Sequence, residues 1–284
     1  MLLAIDVGNT NTVIGLLESH VLAHRWRIAS NSARTGDEFS VLIRELSAQS
    51  GVAIDEISGV IVCSVVPALT GAVVAMAETV FGIDPVVVGS ELDLGIAIDY
   101  ADPSEVGPDR LANAVGVHAM VGGPAIVVDF GTATTFDVVA ADGGYLGGAI
   151  APGVLTSSEN LFRRAALLHR VALEPPDRVV GRSTEESLRS GIIYGAAGQT
   201  DEIVRRIVAE WGERPRVIAT GGLAEKIALF SKAIDANELP RYCAWSISTF
   251  VIATTSGSIT LVESSLPPRP VSISAKSTFS WWKY

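Results

Sequence analysis

Residues 2–7 and 11–17 are apolar runs separated by the short polar turn GNTN, a pattern that predicts an antiparallel hairpin. A third strand over about 20–29 and a helix over about 36–49 follow. GVIVCSVV is wholly apolar and of strand length, and PALTGAVVAMAETVFG opens on Pro and closes on Gly, as helices do. PVVVG predicts a short strand, and RLANAVGVHAM a small-residue helix that ends at Gly122-Gly123-Pro124. The series then restarts. AIVVDF, TTFDVVAA and GYLGGAIAP predict three strands joined by tight turns, with helices over about 153–168 and 183–210, the strand RVIAT, and a helix after GGLAE. The Gly-Gly-Pro seam divides a first domain, 1–121, from a second, 122–284, and a duplicated α/β unit is the economical organisation.

The repeat carries chemistry. A shift of 123 lays Asp6 over Asp129, Gly8 over Gly131 and Thr12 over Thr135. A turn of Gly and small hydroxyl or amide residues lets backbone N–H groups approach an anion. An Asp at the end of the preceding strand can hold a cation that bridges phosphate oxygens. D-x-G-x is also ordinary hairpin chemistry. Its recurrence at the start of two similar halves favours a pair of phosphate loops. Neither G-x-x-x-x-G-K-[ST] nor a strand-following G-x-G-x-x-G occurs, so any grip on nucleotide phosphates falls to these hairpins.

Composition narrows the classes. Hydrophobic residues make up 48% of the 284 and charged residues 18%, enough apolar content for a sizeable core. The net charge of −10 argues against a broad nucleic-acid surface, and no nucleic-acid partner is expected. Two uncharged stretches, GVIVCSVVPALTGAVVAMA and YCAWSISTFVIATTSGSITLV, are broken by Pro67, Thr70 and Gly71 or diluted by Ser and Thr; neither is expected to span a membrane. The opening MLLAIDVGNT has no basic n-region and is not expected to be a signal peptide. Cys63 and Cys243 form no metal spacing, and His20, His24, His118 and His169 show no ligand pattern, so a reduced cytoplasmic setting is expected.

Outside the hairpins, Asp109 in GPDRLANA is either a general base for a hydroxyl acceptor or a helix N-cap. Arg110 is either a clamp on an anionic group or a surface ion-pair partner. Tyr100 reads as a strand-end tyrosine, and Thr184 as the start of a helix, since Ser183 and Glu186 have capping-box spacing. Gly221 and Gly222 in TGGLA either lie against a flat nucleoside face or serve a strand-to-helix turn.

Together the motifs resemble the acetate and sugar kinase, Hsp70 and actin superfamily, and within it type III pantothenate kinase. DVGNTN at 6–11 and DFGTATTFD at 129–137 look like that family's two phosphate motifs; GPDRLANAVG, GGAIAPG and TGGLA look like its others, in the family's order, over about residues 1–235. The resemblance implies two ribonuclease H-like domains with a nucleotide cleft between them. It implies phosphorylation of the primary hydroxyl of pantothenate by ATP with Mg2+, aided by a monovalent cation, K+ or NH4+, in a homodimer. By the same resemblance Asp109 is the base and Arg110 its neighbour in catalysis. Asp6, Val7, Gly8, Asn9, Thr10, Asn11, Thr12, Val13, Thr132, Gly221 and Gly222 bind ATP; Tyr100, Gly107, Pro108, Asp109, Arg110 and Thr184 bind pantothenate. Asp129 holds the monovalent cation and Asp6 lies near the magnesium. The competing expectation is a nucleotide-binding sensor of the same fold without turnover.

The likeness ends after Asp235. The remainder is rich in Ser, Thr and β-branched residues, lacks helical periodicity, and replaces the short strand and amphipathic helix with which the family normally ends.

Overall fold

The computed structural model describes residues 1–18, 21–235, 251–253 and 259–261. The expectations for most of the tail, for Cys243 and for His20 lie outside the described residues. The described residues separate into two compact units: those within 1–96, 104–119, 251–253 and 259–261 form the first, and those within 97–103 and 120–235 the second.

In the first unit, β1 (Leu2–Val7), β2 (Asn11–Glu18) and β3 (Val21–Ala29) form an antiparallel meander; β4 (Gly59–Ser64) joins β1 in parallel, and β5 (Val86–Val87) follows. The sheet order is β3-β2-β1-β4-β5. Side-chain alternation explains what the sheet buries. Leu3, Ile5 and Val7 of β1 and Val60 and Val62 of β4 pack against Phe39 and Ile43 of α1 (Gly36–Gln49) and Leu69, Val73 and Met76 of α2 (Pro67–Phe81). Ala4, Asp6, Ile61 and Cys63 alternate with them and therefore belong to the opposite face. α1 starts at Thr35, which shares a capping box with Glu38. α2 runs from Pro67 at its first turn to Gly82, whose φ of 65° closes it in the left-handed conformation. α3 (Pro108–Val121) carries a nearly continuous buried run from Arg110 to Val117.

The second unit repeats the plan. β6 (Ala125–Phe130), β7 (Ala133–Val139) and β8 (Tyr145–Pro152) are antiparallel, and β9 (Arg216–Gly221) pairs in parallel with β6, giving the order β8-β7-β6-β9. Ile126, Val128, Phe130, Phe136 and Val138 face a core completed by α4 (Val154–Arg164), α5 (Thr184–Trp211) and α6 (Ala224–Ala228). Asp129, Thr135, Asp137 and Thr220 alternate to the other face. Both sheets have the strand order and directions of a ribonuclease H-like fold. β10 (Val251–Ala253) and β11 (Ile259–Leu261) form a separate antiparallel pair.

The boundaries differ from the sequence expectation where turn chemistry decides them. β4 stops at Ser64 rather than running through Val66, because Pro67 keeps its predecessor extended but outside the ladder. α3 begins at Pro108, two residues early, since Pro suits a first helical position. α4 ends at Arg164, short of the expected 168.

Candidate functional site

The first turn is closed by Gly8 N–H donating to the Asn11 carbonyl at 3.0 Å. In the flanking strands Val7 lies opposite Thr12 and Asp6 opposite Val13. Asn9, Thr10 and Asn11 are exposed at the tip, whereas Val7 and Thr12 are fully buried and Val13 nearly so. Val7 is paired on both sides and its carbonyl accepts from Val65 N–H at 3.1 Å, so the accessible part of this predicted ATP contact is the exposed tip, Asn9 to Asn11, and not Val7.

The second turn is one residue tighter. Gly131 N–H donates to the Ala133 carbonyl at 3.0 Å, Phe130 lies opposite Thr134, and Asp129 opposite Thr135. This corrects the ungapped alignment: the position of Thr12 is occupied by Thr134, and that of Val13 by Thr135. Burial agrees, with Thr12 at 0% and Thr134 at 1% exposure. A fixed shift of 123 has no means of registering a shortened turn.

Asp6 lies beside Cys63 on the parallel strand β4, so both side chains leave the sheet on the face opposite α1 and α2. Burial pushes the Cys63 thiol well up, and the negative charges of Asp6 and Asp109 add to the shift. That thiol was not foreseen as part of the site. It stays protonated and is a small apolar neighbour to two carboxylates.

Asp109 is the second residue of α3 and not its cap, which corrects one of the two readings. Its Oδ1 accepts from Arg110 N–H at 2.9 Å. Gly107 makes that fold-back feasible, since a Cβ there would sit 2.5 Å from Asp109 Oδ1. Burial raises the Asp109 carboxyl above its ordinary range, against the opposing pull of the Arg110 amide and charge. A half-buried carboxylate with a raised pKa suits a proton acceptor. Arg110, 6% exposed, is buried on the same helix and is no surface ion-pair residue.

In the second unit, Gly221 ends β9 opposite Phe130 with a φ of 91°. A Cβ on Gly221 would lie 2.5 Å from Asp129 Oδ1 and 2.7 Å from the Phe130 backbone, whereas one on Gly222 meets nothing within 4 Å. Gly221 thus serves the Asp129 carboxylate and the strand end, and Gly222 is the glycine with open space beside it. Thr132 is exposed at the tip of the second turn; its carbonyl accepts from Thr156 Oγ1 at 2.8 Å.

Tyr100 belongs to segment 97–103 of the second unit, which bridges to Tyr145 through Ile98 and is no regular strand. The Tyr100 and Tyr145 rings are 6.2 Å apart, and the Tyr145 hydroxyl donates to the buried carboxylate of Asp137 at 3.2 Å. Thr135 Oγ1 donates to the other Asp137 oxygen at 3.1 Å. This polar row on the second sheet was missed; only the unusual Asp within an apolar strand hinted at it. Thr184 is the first residue of α5, and Ser183 caps it by accepting from Glu186 N–H at 3.1 Å. Glu186 reaches back to Arg182 N–H rather than to Ser183. Among the described residues no group of three or more His, Cys, Asp or Glu side chains is arranged to hold a metal, and no helix is long and apolar enough to cross a membrane.

Two domains of duplicated ribonuclease H-like topology, each opening on an Asp-bearing hairpin, define a protein of the sugar kinase and actin class. The family model described as type III pantothenate kinase matches residues 2–206. A type III pantothenate kinase from Geobacter sulfurreducens is 49% identical over 238 residues, spanning 84% of this chain and 93% of the relative. One from Moorella thermoacetica is 47% identical over 235 residues, 83% and 92% of the two chains. The chain belongs to the type III pantothenate kinase family. Among solved structures, a conserved Baf family protein from Campylobacter jejuni shares the fold with a TM-score of 0.50 and 17% identity, over 82% of this chain and 89% of that one.

Proposed function

We propose that this chain transfers the γ-phosphoryl group of ATP to the primary hydroxyl of pantothenate, the first step towards coenzyme A. The observation that carries the reading is Asp109: a half-buried carboxylate, raised in pKa, held at the first turn of α3 within electrostatic reach of the thiol beside Asp6. Asp109 accepts the hydroxyl proton as the oxygen attacks phosphorus. Arg110 supplies positive charge, and the first hairpin, residues 6–13, together with Thr132 cradles the phosphates. Catalysis of this kind rests on positioning and charge stabilisation. Gly107 and Pro108, with Tyr100 and Thr184, are the remaining acceptor contacts in this reading.

Magnesium, which the family implies, neutralises phosphate charge when bound. Asp6, half-buried at the end of β1, fits as its neighbour. Asp129 fits a monovalent cation: a hard oxygen donor, with room secured by the missing Cβ of Gly221. A homodimer and a cytoplasmic setting belong to the same reading, supported by the family likeness.

Release of ADP from ATP by the purified chain, with magnesium and with or without pantothenate, in potassium and then in sodium, tests this. Pantothenate-dependent, potassium-stimulated release is expected. Nucleotide binding without release would sink the kinase reading in favour of a sensor.

A further inference from the structure

The first phosphate loop is fastened by a residue outside every motif. Ser30 follows the last residue of β3 and is half-buried. Its Oγ donates to the Gly8 carbonyl at 2.6 Å, and Thr12 Oγ1 lies 2.9 Å from Ser30 Oγ. With the Ser30 proton committed to Gly8, Thr12 is the donor in that second bond. Ser30 N–H also donates to the Thr10 carbonyl at 2.9 Å. One residue therefore ties three points of the turn. The Oγ bonds are those a substitution can remove; the amide bond persists in any non-proline variant.

The second hairpin shows that this fastening is not a general need of the fold. Strand pairing sets Thr12 opposite Ile28 and Asn11 opposite Ala29 in the first unit, and Thr134 opposite Ala151 and Ala133 opposite Pro152 in the second. The position of Ser30 is thus held by Gly153. A Cβ there would fall 2.1 Å from the Thr132 carbonyl oxygen and 2.7 Å from that of Gly131. Thr134 Oγ1, the counterpart of Thr12 Oγ1, is buried and makes no hydrogen bond among the described residues.

We infer that Ser30 is a positioning residue for the nucleotide, holding the main chain of the Gly8–Asn11 turn in the one shape that receives the phosphates. The inference rests on the kinase reading above. Two carbonyls drawn towards Ser30 fix the backbone of the turn, and a preorganised loop loses less on binding than a mobile one.

The test compares the full chain with Ser30→Ala and Ser30→Thr. Titration calorimetry with Mg·ADP is run beside steady-state kinetics in which ATP and pantothenate are varied separately. Ser30→Ala is expected to weaken Mg·ADP binding and raise KM for ATP about 10-fold, the scale of two lost hydrogen bonds. KM for pantothenate should change by less than about twofold, and Ser30→Thr should recover most of the loss. A Ser30→Ala protein that binds Mg·ADP as the unsubstituted protein does overturns the inference. So does a defect shared equally by both substrates, or one that Thr fails to repair, for these mark a merely structural serine. Should the unsubstituted chain bind Mg·ADP yet never phosphorylate pantothenate, the acceptor reading fails, and the calorimetric comparison still decides Ser30.

Discussion

The Gly8–Asn11 turn and the shorter turn at 131–133 begin from the same strand pairing, yet they are secured by opposite means. In the first, a serine side chain fills the space beside the loop and bonds its carbonyl. In the second, the side chain is dispensed with, the chain closes in until any Cβ on Gly153 would collide with the Thr132 and Gly131 carbonyls, and Thr156 reaches over from the first turn of α4. The faces below them differ as well. The first unit sets Asp6 and Cys63 side by side within reach of Asp109; the second sets Asp129 against Gly221 and ties Asp137 to Thr135 and Tyr145. A duplicated fold can keep its backbone plan while its two polar faces diverge; in the proposed reaction the first would serve proton transfer and the second the cation and the nucleoside.

The sharpest way to break that division is Asp109→Asn. Turnover should fall by about 10³-fold with Mg·ADP affinity preserved, as calorimetry and initial rates would read. The same variant should melt higher at neutral pH. Burial raises this carboxyl, so the native state holds its proton more tightly than the unfolded chain does. Stability therefore falls as pH rises from the unfolded pKa through the folded one, and the amide removes that burden. In the unsubstituted enzyme the acid limb of kcat/KM should lie above the ordinary carboxylate range.

Next in size is Gly153→Ser, which gives the second loop the residue of the first. The backbone oxygens around it cannot yield cheaply, and a loss of about 2 kcal/mol or more is expected in a denaturant titration. The reciprocal Ser30→Gly should leave the fold standing. Equal tolerance at both positions would erase the distinction drawn here.

Gly221→Ala and Gly222→Ala sharpen it further. The first meets Asp129 Oδ1 at 2.5 Å and carries a φ of 91°, so it should cost stability and blunt the difference between potassium and sodium. The second has open space, so its melting temperature should hold while nucleotide affinity falls, if adenosine lies there. Smallest is Thr156→Val, which removes one exposed hydrogen bond to the second loop; a rise of about threefold in KM for ATP is expected, with stability unchanged.

The hairpins, their aspartates and the alternation of strand and helix were legible because period-2 apolar runs bounded by Gly-rich turns are local signals. The sites of Asp109 and Thr184 were legible as helix beginnings, although a start at Pro108 moved Asp109 from the cap to the second helical position. What stayed hidden depends on cross-strand partners. Nothing near Ser30 in sequence announces Gly8 or Thr12, about 20 residues away, because only the register of β2 against β3 brings them together. Cys63 looked inert in a buried strand until pairing set it beside Asp6. The closeness of Gly221 to Asp129 was hidden for the same reason, since the two lie on different strands.

The missing residue in the second turn also limits any exchange of parts between the halves. A chimera carrying Gly8–Asn11 in place of residues 131–133 would be one residue too long. Unless the graft bulged outwards, β7 would slide by one position, and in a strand one position is a change of face. Phe136 and Val138 would leave the core, and the carboxylate of Asp137 would be driven into it. The two loops have become parts of one machine cut to different threads, and the copy no longer fits the socket of its original.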